Sequence, residues 1–151
     1  MLDQTGPEMD RKSWMGLLAR APQARLDALL RQVGGLPAHD WLRPPETGGV
    51  MVRGRAGGTG AAFNLGEMTV TRCALRLTNG AVGHAYVQGC FRAHAERAAL
   101  VDALMQTGRA DEIRSQVLGP LEREETERRA ARAARAAATK VDFFTMVRGE
   151  D

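Results

Sequence analysis

The pair Asn79-Gly80, set between two β-rich runs, leaves this chain fewer options than any other feature. Thr69-Val70-Thr71-Arg72-Cys73-Ala74-Leu75-Arg76-Leu77 leads into it and Val82 to Gln88 leads out. A type I′ turn needs two residues that tolerate positive φ, so the spacing predicts an antiparallel hairpin. In the leading arm Thr69, Thr71, Cys73, Leu75 and Leu77 share one face, and Val70, Arg72, Ala74 and Arg76 the other.

Upstream, Val50 to Arg55 alternates in the same way, with Val50 and Val52 on one side and Met51, Arg53 and Arg55 on the other. It ends at Ala56-Gly57-Gly58-Thr59-Gly60. The piece from His39 to Pro45 is extended, and Pro44-Pro45 confines it to an edge or a connector. Asp10 can cap a helix carrying Trp14, Leu17 and Leu18, and Pro22 starts a second with Leu26, Leu29, Leu30 and Val33, stopped by Gly34-Gly35. A third helix runs from Arg92 to Gln106. After it, Asp111 to Leu118 reads as a short helix broken by Gly119-Pro120, and Pro120 opens a long one with Glu early and Arg late, which suits the helix dipole. The expected fold is therefore α+β: an antiparallel β-meander with N-terminal helices, a helix after the central hairpin and C-terminal helices. Residues 1–9 read as a disordered lead, and 10–151 as one domain.

At 151 residues the chain can bury a core without disulfides or metal. Aromatic residues are only 5%, so that core must be built from Ala, Leu, Val and Met, and a thin core of this kind invites a partner. Cys73 and Cys90 form no C-x-x-C pair, which fits free thiols in a reducing compartment. The start, Met-Leu-Asp-Gln-Thr-Gly-Pro-Glu, is polar and acidic, no apolar run reaches membrane-span length, and a cytoplasmic protein is expected. Arg supplies nearly all the positive charge, with Lys only at Lys12 and Lys140. Guanidinium groups suit phosphate and carboxylate partners, although genome composition produces the same bias.

Gly57, Gly58, Thr59 and Gly60 after a strand can be read as a phosphate cradle of bare N–H groups. The loop lacks a Gly-Lys-Ser/Thr ending and the G-x-G-x-x-G spacing, so from the residues alone a wide hairpin turn is the better account of it. If Arg53, Arg55, Arg72 and Arg76 lie to one side of one sheet, they make a basic face; a solvated face needs such charges too. His94 and Glu96 open the third helix. Cys90, His94 and Glu96 have poor metal-ligand spacing, no metal site is expected, and an i,i+4 pair with Arg92 accounts for Glu96. No catalytic triad can be assembled. The arginines Arg128, Arg129, Arg132 and Arg135 have no interleaved aromatics to stack bases, so nucleic acid is not the expected partner.

Two of the four Phe residues fall in Val141-Asp142-Phe143-Phe144-Thr145-Met146-Val147-Arg148-Gly149. So apolar a segment must be covered, in its own sheet or inside a partner. Partner burial by Phe143, Phe144, Met146 and Val147 is the expectation, with exchange between copies as a variant.

Several ordered blocks together resemble the PhnG family, the G component of the bacterial carbon-phosphorus lyase machinery. They are Glu46-Thr47-Gly48, Arg55 with Gly57-Gly58-Thr59-Gly60, Thr71-Arg72 followed by Ala74 to Thr78, Val87-Gln88-Gly89, His94-Ala95-Glu96-Arg97, Asp102 to Gln106, and the tail from Val141 to Gly149. The resemblance implies a role in phosphonate catabolism, as a subunit that works with PhnH, PhnI and PhnL to move the ribose 5-triphosphate of MgATP onto methylphosphonate with release of adenine. It implies PhnI as the direct partner, PhnH and PhnJ in a core complex, no cofactor held by this chain alone, and MgATP as a substrate of the assembly. Arg55, the Gly57 to Gly60 loop and Arg72 are then the expected anion contacts, with His94 and Glu96 next. A purely structural adaptor is the competing expectation.

Overall fold

The computed structural model describes residues 9–140. The elements run α1 (Arg11–Arg20), α2 (Gln23–Val33), β1 (His39–Arg55), β2 (Ala62–Leu77), β3 (Val82–Gln88), α3 (Arg92–Leu104), α4 (Ala110–Ile113), a wide π turn (Arg114–Leu118) and α5 (Gly119–Ala138). The expected α+β meander is present as one antiparallel sheet in the order β1-β2-β3. The expectations for residues 1–8 and for Phe143, Phe144, Met146 and Val147 lie outside the described residues. Met9, expected in the lead, packs against the core.

Asp10 caps α1 as its side chain predicts, accepting the Ser13 N–H at 2.8 Å. Leu17, Leu18, Leu26, Leu29 and Leu30 are buried. They close one side of a core whose other side is Cys73, Leu75 and Leu77 of β2, Ala85 and Val87 of β3, and the buried face of α3. Among the described residues no Phe, Tyr or Trp belongs to the buried apolar set, which is Leu, Ala and Val with Cys73, Met105 and Ile113. Small residues permit close approach. At Gly83 a Cβ would collide with the Ala99 carbonyl oxygen and the Ala103 methyl, so β3 lies directly on α3.

Three local readings are decided by the structure, two of them as corrections. The central hairpin is not a type I′ turn: no residue other than glycine has positive φ among the described residues, so Asn79 does not adopt it. Instead Gly80 N–H bonds to Leu77 O and Leu77 N–H to Ala81 O, both at 2.9 Å, and Gly80 alone sits at φ 92°. That is a three-residue loop with a glycine bulge, held by Asn79 Oδ1 accepting from Ala81 N–H at 3.1 Å. Second, of the edge or connector expected for His39 to Pro45 the structure has the edge, joined to Val50–Arg55 in one strand. β1 is continuous and on the sheet edge, with register shifts at Trp41/Arg43 and Arg43/Glu46 that absorb the missing N–H groups. Third, Gly119-Pro120 breaks nothing. Gly119 N–H reaches back to Arg114 O, five residues away, and the widened turn carries Pro120 into α5 without the clash it would meet in an ordinary helix. Packing drives this, because Ile113, Val117, Leu118 and Leu121 are all fully buried.

Candidate functional site

β3 covers only part of β2, pairing Val70 to Arg76 with Gln88 to Val82. Beyond that point β1 and β2 continue alone as a two-stranded ribbon, whose last pair is Arg55 opposite Ala62. The ribbon ends in the glycine loop. Gly57 and Gly58 have φ of 60° and 78°, and Gly60 N–H bonds to Ala56 O at 2.9 Å. Arg55 is tied across the loop, its Nη1 donating to Gly60 O at 3.2 Å. Gly57, Gly58 and Thr59 are exposed. Glycine here supplies the positive φ of a hairpin connection, as one of the two sequence readings held.

The structure does not assemble the four arginines into one face. Residues directly opposite each other in a ladder share a side, and Val50 faces Met68, Val52 faces Gly66 and Glu46 faces Arg72. Arg72 therefore lies with Val50 and Val52, and Arg53 and Arg55 point the other way. Arg55 is also nine residues along β1 from the position opposite Arg72, about 30 Å at the rise of a strand. One small anion cannot touch both. Arg72 is already engaged, its Nε 2.9 Å from Glu46 Oε1.

His94 is buried, and its Nε2 lies 2.7 Å from Leu18 O. A carbonyl only accepts, so Nε2 carries the proton and His94 pins α3 to α1. Glu96 pairs with His39 Nε2 at 3.4 Å, and His39 stacks edge-on against Trp41 with ring centroids 4.9 Å apart. The expected Arg92 pairing of Glu96 gives way to this contact because β1 passes over the start of α3. Cys90 is exposed and Cys73 buried. Burial, with Glu96 adding to it, pushes the Cys73 thiol up to about 12, so it remains protonated and inert at neutral pH. No group of three or more His, Cys, Asp or Glu is placed to hold a metal ion among the described residues.

Two features were not legible beforehand. Asp102 is fully buried and accepts four hydrogen bonds: Arg11 Nε at 3.1 Å, Arg11 Nη2 at 2.7 Å, Trp14 Nε1 at 2.8 Å and His84 N–H at 2.8 Å. It joins α1, α3 and β3. An acid among Ala, Leu and Val in a buried helix face was the available signal. The other feature is the apolar surface of the ribbon, where Met51, Phe63 and Leu65 are 57%, 46% and 62% exposed. A two-stranded ribbon has no hydrophobic face of its own to bury, and large apolar side chains on it mark a surface that something covers.

No helix among the described residues is long and apolar enough to cross a membrane. Residues 9–149 match the family described as phosphonate metabolism protein PhnG. A protein of Rhizobium meliloti (strain 1021) named alpha-D-ribose 1-methylphosphonate 5-triphosphate synthase subunit PhnG is 44% identical over 145 residues, covering 93% of this chain and 90% of the relative. With an α+β meander, a glycine-tipped ribbon and sequence kinship across almost its whole length, the chain belongs to the PhnG family of phosphonate metabolism proteins.

Proposed function

We propose that this chain is a non-autonomous subunit of a cytoplasmic ribose 1-methylphosphonate 5-triphosphate synthase. With PhnH, PhnI and PhnL it supports attack of a methylphosphonate oxygen on C1′ of MgATP; the bond from C1′ to adenine breaks, and adenine leaves with a proton. PhnI is the direct partner, in a core complex that also holds PhnH and PhnJ, and the chain self-associates within it. The observation that carries the reading is the ribbon. It projects Arg53, Arg55, the four loop residues and exposed apolar side chains away from the core, with Arg55 bonded only within the loop itself, while Arg72, His94 and Glu96 are held by other elements of the chain. Such an arm delivers Arg55 and the Gly57 to Gly60 loop to a site that another subunit completes. The related Rhizobium protein bears the name of a synthase subunit, which supports the same assignment.

Reconstitution tests it. The purified chain alone should release no adenine from MgATP and methylphosphonate, and adding it to the other components should restore release. Arg55→Ala should lower kcat/KM by about 10- to 100-fold, the worth of one charge-assisted hydrogen bond, with assembly unchanged by pull-down. A specific observation favours the second reading, a structural adaptor: Arg72 is neutralised by Glu46 and Arg55 is bonded to Gly60 O. Full transfer rate by an assembled Arg55→Ala, Arg72→Ala complex establishes the adaptor. Restoration of activity without this chain removes both.

A further inference from the structure

Between the ribbon and α5 runs a groove of about 800 Å³. Its floor is Val50, Val52, Met68 and Val70, the first three only half-buried, and its wall is Arg128, Arg129 and Arg132 of α5. These arginines follow Glu125 at i+3, i+4 and i+7, so they occupy one stripe of the helix, and all three are exposed. Among the described residues Glu125 is the one acid lining the groove. It is bonded to Arg20 at 2.6 Å and to Arg129 at 3.1 Å, and Arg128 acts on it as well; the Arg20 hydrogen bond above all holds its carboxyl below the usual range. The guanidinium groups of Arg20, Arg128, Arg129 and Arg132 thus share a single carboxylate, and the wall keeps a surplus of positive charge. The floor also ends at an open backbone edge. β2 from Ala62 to Met68 pairs with β1 alone, because the ladder to β3 closes with Gly89 N–H on Thr69 O at 2.8 Å. Peptide groups alternate in direction along a strand, so Glu67 N–H and C=O point the same way as Thr69 O, into the space beyond the end of β3.

We infer that this groove takes an extended segment of another subunit, added as a strand to β2, apolar over Val52 and Met68 and acidic where it meets α5. Unpaired peptide groups call for a backbone that supplies donors and acceptors, as in strand addition. The open edge, Ala62–Met68, gives that backbone a footing of about 23 Å. Half-buried valines and a methionine call for aliphatic side chains above them. The surplus of guanidinium groups calls for Asp or Glu, whose carboxylates arginine binds with two parallel hydrogen bonds. Charge argues against a second copy as the occupant: a two-fold contact sets the same patch against itself, so the arginine wall would meet its own image. The inference rests on the reading of this chain as one subunit of an assembly, and it names the surface through which a neighbouring subunit is held.

Photo-cross-linking in the reconstituted synthase tests this, with p-benzoylphenylalanine placed at position 68 and adenine release followed in the same sample. Irradiation should join that position to one segment of another subunit, and sequencing of the linked peptide should show a run of about six residues rich in both aliphatic side chains and Asp or Glu. Arg128→Glu together with Arg132→Glu should weaken assembly by at least about tenfold, and changing the acids of the linked segment to Lys should restore it. Both arginines are exposed, and an unchanged far-UV circular dichroism melt confirms that the variant folds. A link confined to this chain, a link to a second copy, or an active assembly with no link to another subunit overturns the inference. So does a folded charge variant that assembles at full strength, or one that the Lys changes do not rescue. Those outcomes leave the subunit reading standing. Failure of the chain to assemble with any component overturns that reading, and the inference with it.

Discussion

A fully buried carboxylate tolerates its position only while its donors hold it, and Asp102 depends on donors from three elements. Truncation leaves the Arg11 guanidinium, the Trp14 indole N–H and the His84 amide without their acceptor at once. Asp102→Ala is expected to cost about 2–4 kcal/mol, because the Trp14 indole N–H and the His84 amide lose their acceptor while the half-exposed Arg11 can turn to water, and to lower Tm by roughly 10 °C in a differential scanning calorimetry trace. Asp102→Asn, which keeps the shape and some acceptor capacity, should lose less. The same scale explains why separate motifs were legible and their arrangement was not. Arg55, Arg72, His94 and Glu96 stand out by type and context, but whether two strand residues share a side depends on register, and register follows from hydrogen-bond pairing that no short stretch of sequence states.

Among the elements, the N-terminal helices, the hairpin arms and α3 were legible because apolar periodicity, a capping Asp and turn residues agreed with one another. Where local punctuation and packing disagreed, packing prevailed. Gly119-Pro120 reads as a stop, yet four buried aliphatic residues hold the backbone helical through a widened turn. β3 shows the same priority, since glycine weakens a strand but Gly83 lets α3 lie against it. Gly83→Ala should therefore destabilise by about 1–3 kcal/mol through overpacking, read as a lower urea midpoint at unchanged slope. Substitution at a glycine in open space on the ribbon, Gly66→Ala, should leave the midpoint nearly unmoved.

For the molecule as a whole, Cys73 reports on global opening, because it lies between the sheet and α3. Burial raises its pKa to about 12 in the folded chain, whereas an unfolded thiol ionises near ~8.5. The raised value means that the protonated form is the folded form: this contribution is complete below ~8.5 and is lost progressively as pH climbs toward the folded value. Between about pH 8 and about pH 10.5 the loss should be roughly 2 kcal/mol, and Cys73→Ala should flatten that part of the stability profile in denaturant titrations. The widened turn before α5 acts over the same long range. One surplus residue in a helix turns everything after it by about 100°, so residues 114–118 set the compass heading of a twenty-residue rod. A single-residue insertion or deletion there would swing Arg128, Arg129 and Arg132 off the ribbon and present them to open water.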